Sequence, residues 1–120
     1  AQSAAAAINE EFGDARSRLL VVGMLRGKDP DDMLRALEAA RARLVICCPP
    51  PSPRAMAPKE VAAAAARLGC TTEITPSVGE AVAAARQAAG PDDLILVTGS
   101  LYVVGAARAA LAGGGPLTAD

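Results

Sequence analysis

The chain has no histidine and no tryptophan, and it has only one phenylalanine, one tyrosine and three cysteines in 120 residues. Without histidine this chain holds no Ser-His triad, no imidazole general base and no His-ligated zinc. A single Tyr and a single Phe cannot form a platform on which successive nucleic-acid bases stack. Neither sign of charge dominates: 12 Lys and Arg stand against 13 Asp and Glu, a net of −1. The basic stripe of a DNA- or RNA-binding module is therefore lacking. No apolar run approaches the ~18 residues of a membrane span. The opening AQSAAAAINEEFGD carries acids where a secretory leader has a basic region.

The cysteines are Cys47, Cys48 and Cys70. Their number is odd, and the first two are neighbours in an apolar run, so a strand there would send them to opposite faces. Buried, reduced thiols are expected, with no disulfide framework and no metal site. The expected setting is cytoplasmic, with neither nucleic acid nor membrane as partner.

Alanine is what the chain has in excess, at 29 residues, within a 52% hydrophobic composition. The length suits one domain. Residues 2–13 read as a helix, with Ala5, Ile8 and Phe12 at helical spacing. Arg18 to Met24 is a continuous apolar run that suits a strand buried on both faces. After the loop LRGKDP (25–30), Asp29 can cap a helix that has Pro30 at its first position, Asp31 and Asp32 in its first turn, and Met33, Leu34 and Leu37 on its apolar face. Arg43 to Cys48 is a second strand. PPPSPRA (49–55) must be a rigid loop, because proline removes donors and fixes φ. A helix from Pro58 to Leu68 stops at Gly69, and Cys70 to Thr75 alternates like a strand nearer an edge. Ser77 caps a helix from Val78 to Ala89, with Glu80 at the capping-box position. Asp93 to Thr98 is another buried strand, and a last helix runs from Gly99 and Ser100 to about Leu111.

Strands and helices alternate over short connections. The fold expected is α/β: a three-layer, Rossmann-like, mostly parallel sheet with helices on both faces. By this reading the chain opens on a helix, so the first strand of such a fold is expected to be missing, leaving a sheet edge open. One domain is expected over 1–112, with 113–120 (GGGPLTAD) a flexible tail.

In open α/β sheets ligands bind outside the carboxyl ends of the strands. Two of the loops there carry chemistry. In Thr98-Gly99-Ser100, Gly99 allows close backbone approach, Ser100 offers a hydroxyl, and a following helix offers free amides, together a cradle for a carboxylate or phosphate. Ser100 is equally able to act as a plain helix cap. In LRGKDP, Arg26 and Lys28 flank Gly27. Lys28 is a compact charge suited to an anion, though a solvated lysine looks the same in sequence. Arg54, after the prolines, is a third cation with either an anion-binding or a structural role. Asp92 and Asp93 fall at the amino end of their strand and read as solvated. No GxxxxGK[ST] and no GxGxxG occurs.

Four segments in order, LLVVGMLRGKDPDDMLRAL, PSPRAM, VGEAVAAARQAA and DLILVTGSLYVVGAARAAL, resemble the folylpolyglutamate synthases and dihydrofolate synthases of the Mur ligase superfamily. The resemblance covers roughly residues 1–112 and implies their C-terminal domain, a Rossmann-like unit that helps bind the incoming glutamate and closes over ATP. Such enzymes use ATP and Mg2+ to turn a folate or dihydropteroate carboxylate into an acyl phosphate, which the amino group of L-glutamate attacks. By the resemblance, Ser100 contacts the glutamate carboxylate with Gly99 beside it, and Lys28 lies near the amino-acid substrate. Arg26, Arg54 and Tyr102 are further candidates of unassigned role. The family's catalytic Asp and His sit in an Asp-Gly-Ala-His-Asn-Pro segment that would precede Ala1. No catalytic residue is expected in this chain, and the P-loop and metal ligands are expected in an N-terminal ATPase domain. Alone, the chain is expected to bind no cofactor and to be inactive. From the residues themselves, a non-catalytic α/β module binding a small anion or a protein partner remains the alternative.

Overall fold

The computed structural model describes residues 4–7, 18–91, 93–99, 104–108 and 118–119. Among these, strands β1 (Ala4–Ala7), β2 (Arg18–Gly23), β3 (Leu44–Cys47), β4 (Thr72–Ile74), β5 (Leu94–Gly99) and β6 (Thr118–Ala119) form one sheet in the order β4-β3-β2-β5-β1-β6. The four strands β4, β3, β2 and β5 run parallel. Helices α1 (Pro30–Ala36) and α2 (Pro58–Arg67) connect β2 to β3 and β3 to β4, and α3 (Val78–Ala88) carries the chain from β4 to β5. A 3₁₀ turn at Ala39–Arg41 follows α1, and residues 104–108 are helical.

The parallel strands bury both faces, which is why they read as unbroken apolar runs. Leu19, Leu20, Val21 and Val22 are all fully buried. Leu20, Val22, Val45 and Cys47 pack with Leu34 of α1 and Val61, Ala64 and Ala65 of α2. Leu19, Val21, Ile46, Cys48, Ile95 and Val97 pack with Val78, Ala81, Val82 and Ala85 of α3 and with Ala107. The two-residue alternation along each strand sorts its side chains between these cores. Part of the alanine excess has its place here: alanine makes up three of the four buried residues of α2 and two of the four of α3. The sheet is doubly wound, as expected.

The helix ends follow the sequence signals. Asp29 Oδ1 accepts from the amides of Asp31 at 2.9 Å and Asp32 at 3.4 Å, with Pro30 at the first position of α1. Ser77 Oγ accepts from the Glu80 amide at 3.1 Å and caps α3. Gly69 ends α2 with φ +87°, a conformation that glycine adopts without steric cost. β4 lies at the sheet edge, as its alternation implied.

Three expectations fail. The opening segment is not a helix at Ala4–Ala7: these residues form β1, paired antiparallel with Leu96–Gly99 of β5. Alanine is the best helix former, but intrinsic propensity is small against tertiary context, and a sheet edge with unpaired amides and carbonyls offers a full ladder instead. For the same reason the position beside β5 is not left open, so the strand counted as missing there is supplied, in antiparallel sense, by β1. The remainder of the expected helix, with Ile8 and Phe12, lies outside the described residues. Thr118–Ala119 pair with Ala6 and Ala7 as β6, and the other residues of 113–120 lie outside the described residues. Asp93 is not solvated: its side chain is 13% exposed, and its Oδ2 accepts from Arg43 Nη2 at 2.7 Å and from the Gly90 amide at 2.8 Å. Arg43 also donates to the Ala88 carbonyl at 2.8 Å. The pair thus ties the start of β3 to the end of α3 and the start of β5, satisfying a carbonyl that the helix terminus would otherwise leave free.

Cys47 and Cys48 do fall in opposite cores, and all three cysteines are free thiols. Burial pushes both Cys47 and Cys48 up to about 12, while Cys70 is raised but only half-buried. At pH 8 in the native state, a thiol reagent should therefore label Cys70 first, and Cys47 and Cys48 only after unfolding. Rapid native labelling of all three would contradict this packing.

Candidate functional site at the carboxyl edge of the sheet

β2 continues through α1 to β3 on one side, whereas its other neighbour, β5, arrives from β4 through α3 on the opposite face. The order of winding therefore reverses between β2 and β5, and the crevice beyond their carboxyl ends is the place where doubly wound sheets bind ligands. Both strands end in glycine there, Gly23 in register with Gly99. No side chain from either position narrows the crevice mouth. Gly99 stands out in the sequence, while Gly23 was overlooked, although a glycine closing an apolar run at a strand's carboxyl end is a usable signal.

The β2–α1 loop does not stand alone. Leu25 forms a bridge with Ala55, the Met56 amide donates to the Met24 carbonyl at 2.8 Å, and the Arg26 amide donates to the Arg54 carbonyl at 2.7 Å. Arg26 Nη2 reaches the Pro53 carbonyl at 3.1 Å. The proline-rich loop is thus fastened to the Gly-Lys loop, and Arg26 and Arg54 become neighbours. Gly27 turns the chain with φ +94°, and the Lys28 amide closes the turn on the Leu25 carbonyl at 3.4 Å.

Arg26, Lys28 and Arg54 are all exposed, and none has an ion-pair partner among the described residues. The nearby acids are engaged elsewhere. Asp29 caps α1, Asp31 holds Arg67 at 2.9 Å, and Asp32 meets Arg35 at 3.4 Å. Among the described residues the edge beside Gly23 is therefore a cationic surface without internal counter-ions, suited to an anionic ligand. Ser100 and Tyr102 lie outside the described residues.

One side chain at this edge went unremarked in the sequence. Thr98 is fully buried, in register with Val22, and its Oγ1 has no hydrogen-bond partner among the described residues. A lone hydroxyl among apolar neighbours costs on the order of 1–3 kcal/mol in lost hydration. Thr98→Val, which keeps the shape, should raise the stability of the chain by about 1 kcal/mol in a urea titration. A loss of stability would mean that the hydroxyl is satisfied in the folded protein. A threonine ending the run Leu94-Ile95-Leu96-Val97 is the signal in the sequence.

On the α3 face of the same edge, an open and mainly apolar cleft of about 330 Å3 lies between Pro49, Pro50, Pro51, Pro76, the start of α3 (Ser77 to Gly79) and Ala106. Among the described residues no group of three or more His, Cys, Asp or Glu comes together to hold a metal ion, and no helix is long and apolar enough to cross a membrane.

Comparison with known proteins agrees with this fold. The family model described as Mur ligase, glutamate ligase domain matches residues 1–101. A probable bifunctional folylpolyglutamate synthase/dihydropteroate synthase of Haloferax volcanii is 36% identical over 104 residues, covering 86% of this chain and 12% of that protein. The folylpolyglutamate synthase of Mycobacterium tuberculosis, solved with ADP and AMPPCP, superposes with a TM-score of 0.70 at 34% identity, over 86% of this chain and 25% of that one. The bifunctional folylpolyglutamate synthase/dihydrofolate synthase of Yersinia pestis, solved with AMPPNP and Mn ion, gives a TM-score of 0.68 at 29% identity, over 80% of this chain and 22% of that one. The chain thus spans only an eighth to a quarter of the length of these relatives. In sequence match and in fold alike, it belongs to the glutamate ligase domain family of the Mur ligases.

Proposed function

We propose that this chain is the glutamate ligase domain of a longer ATP-dependent ligase that joins L-glutamate to a folate or dihydropteroate carboxylate. The observation that carries the reading is the glycine-ended β2–β5 crevice with an uncompensated cationic loop beside it, in a chain of this family. Lys28 attracts the carboxylates of the incoming glutamate. Gly99 lets the backbone come close, and Ser100 donates its hydroxyl to a glutamate carboxylate. Held at those carboxylates, the glutamate presents its amino group toward the activated acceptor. Such alignment removes much of the entropic barrier of a reaction between two bound species.

The acceptor carboxylate is activated as an acyl phosphate at the expense of ATP, and attack by the glutamate nitrogen forms the amide and releases phosphate. This chain contributes glutamate binding and closure over the nucleotide. It contains neither a GxxxxGK[ST] phosphate loop in its sequence nor an acidic metal cluster among its described residues, so ATP and Mg2+ are assigned to the rest of the ligase. The relatives solved with AMPPNP and Mn ion, or with ADP, support the use of nucleotide and metal by such an enzyme.

The test is incorporation of labelled L-glutamate by the longer protein, with ATP and either tetrahydrofolate or dihydropteroate as acceptor. ATP-dependent amide formation with at least one acceptor is expected, and none from the isolated 120-residue chain. No incorporation by the longer protein with either acceptor would refute the reading.

A further inference from the structure

The pattern Thr-x-Ser occurs twice in the chain, each time at the carboxyl end of a parallel strand: Thr75-Pro76-Ser77 after β4 and Thr98-Gly99-Ser100 at the end of β5. In the first, Thr75 is buried and its hydroxyl donates to the Ser77 carbonyl at 2.9 Å. Such a bond to the backbone two residues on is a common use of threonine in a turn. Pro76 fixes φ at the centre of that turn. In the second, Thr98 is fully buried and its hydroxyl has no partner among the described residues. Gly99 at its centre sets no comparable limit on φ. The Thr98 side chain shares the face of Val22 and Leu96, which α1 covers, and it stands one residue short of the Gly23–Gly99 pair. Valine would fill the same space without an unpaired hydroxyl, so in this state the hydroxyl of Thr98 does not stabilise the fold.

We propose that Thr98 is a positioning residue for the incoming glutamate. When glutamate binds, the Thr98-Gly99-Ser100 turn takes the form that Thr75-Pro76-Ser77 already holds, and the Thr98 hydroxyl donates to the Ser100 carbonyl. The inference rests on the glutamate-ligase reading, which puts a glutamate carboxylate at this turn. A ligand favours one conformation only by what is gained there and nowhere else. Here the gain is a hydrogen bond made in the bound form alone, which ends the cost of the unpaired hydroxyl and holds Ser100 in place. Proline presets the first turn, whereas glycine lets the second change.

Titration of the 120-residue chain with L-glutamate, followed through its backbone amide NMR signals, tests this alongside urea unfolding without ligand. Thr98→Val should bind glutamate about fivefold more weakly than the native chain, while its folded-to-unfolded ratio rises about fivefold. Thr98→Ser keeps the hydroxyl and should bind within about twofold of the native chain. A side chain that only packs does not weaken binding and raise stability in the same substitution. Native affinity in Thr98→Val, a loss of stability in it, or equally weak binding by Thr98→Ser would each overturn the proposal, as would a native chain that binds no glutamate. In the longer ligase, Thr98→Val should raise the KM for glutamate about fivefold and move that for ATP by less than about twofold. A longer protein that transfers no glutamate to any acceptor refutes the ligase reading, while the titration still decides the role of Thr98.

Discussion

In the longer ligase proposed to carry this domain, Lys28→Ala should raise the KM for glutamate roughly tenfold to a hundredfold. That range follows from a charge-assisted hydrogen bond of about 1.5–3 kcal/mol, with every 1.4 kcal/mol equal to about a factor of ten. Ser100→Ala removes a neutral donor and should raise the same KM about fivefold, near the 1 kcal/mol of an ordinary hydrogen bond. In both variants the KM for ATP should move by less than about twofold, because the proposal assigns the nucleotide to the rest of the ligase. The split between the two substrates matters more than the size of either effect. Equal rises for ATP and glutamate would point to a general loss of domain closure. Unaltered glutamate kinetics in both variants would remove the site from this loop pair. Lys28 is exposed and has no partner among the described residues, so its removal should leave stability within about 0.5 kcal/mol.

The second large effect is on folding. Leu20 is fully buried at the centre of β2, between β3 and β5, and packs in the core beneath α1 and α2. Leu20→Ala should cost about 3–5 kcal/mol, the lost burial of the side chain plus the cavity that rigid neighbours cannot fill. Against a net stability of roughly 5–15 kcal/mol for a typical domain, that is a large share. Arg35→Ala, which breaks only the exposed Arg35–Asp32 pair at 3.4 Å, should cost less than about 0.5 kcal/mol. Urea unfolding of the two variants provides the comparison. Similar midpoints for both would mean that the parallel sheet is not the stabilising core.

How far the fold could be read from residues depended on which force decides each segment. β2, β3 and β5 announce themselves because burial on both faces permits only apolar residues. α1 and α3 announce their starts because Asp29 and Ser77 satisfy amides that the helix itself leaves free. Ala4–Ala7 misled for the opposite reason. Four alanines carry no amphipathic pattern, and the ladder on β5 decides their conformation from outside the segment. Asp93 misled similarly, since its partner Arg43 lies 50 residues away and nothing local marks the pair. At the site, the Gly-Lys loop and the Thr-Gly-Ser turn were visible as loop chemistry after buried strands. That Arg54 would join Arg26 was not, because the link is a backbone hydrogen bond between two loops and leaves no trace in side-chain type. Gly23 and Thr98 became meaningful only when the register set one strand end against the other.

The account centres on one position for the incoming amino acid, beyond the carboxyl ends of β2 and β5. A structure of the longer ligase with ADP and L-glutamate bound is the most direct measurement of it. The account predicts a glutamate carboxylate within hydrogen-bond distance of Lys28 Nζ and Ser100 Oγ, at the Gly23–Gly99 crevice. Glutamate bound elsewhere, with Lys28 and Ser100 both facing solvent, would contradict it.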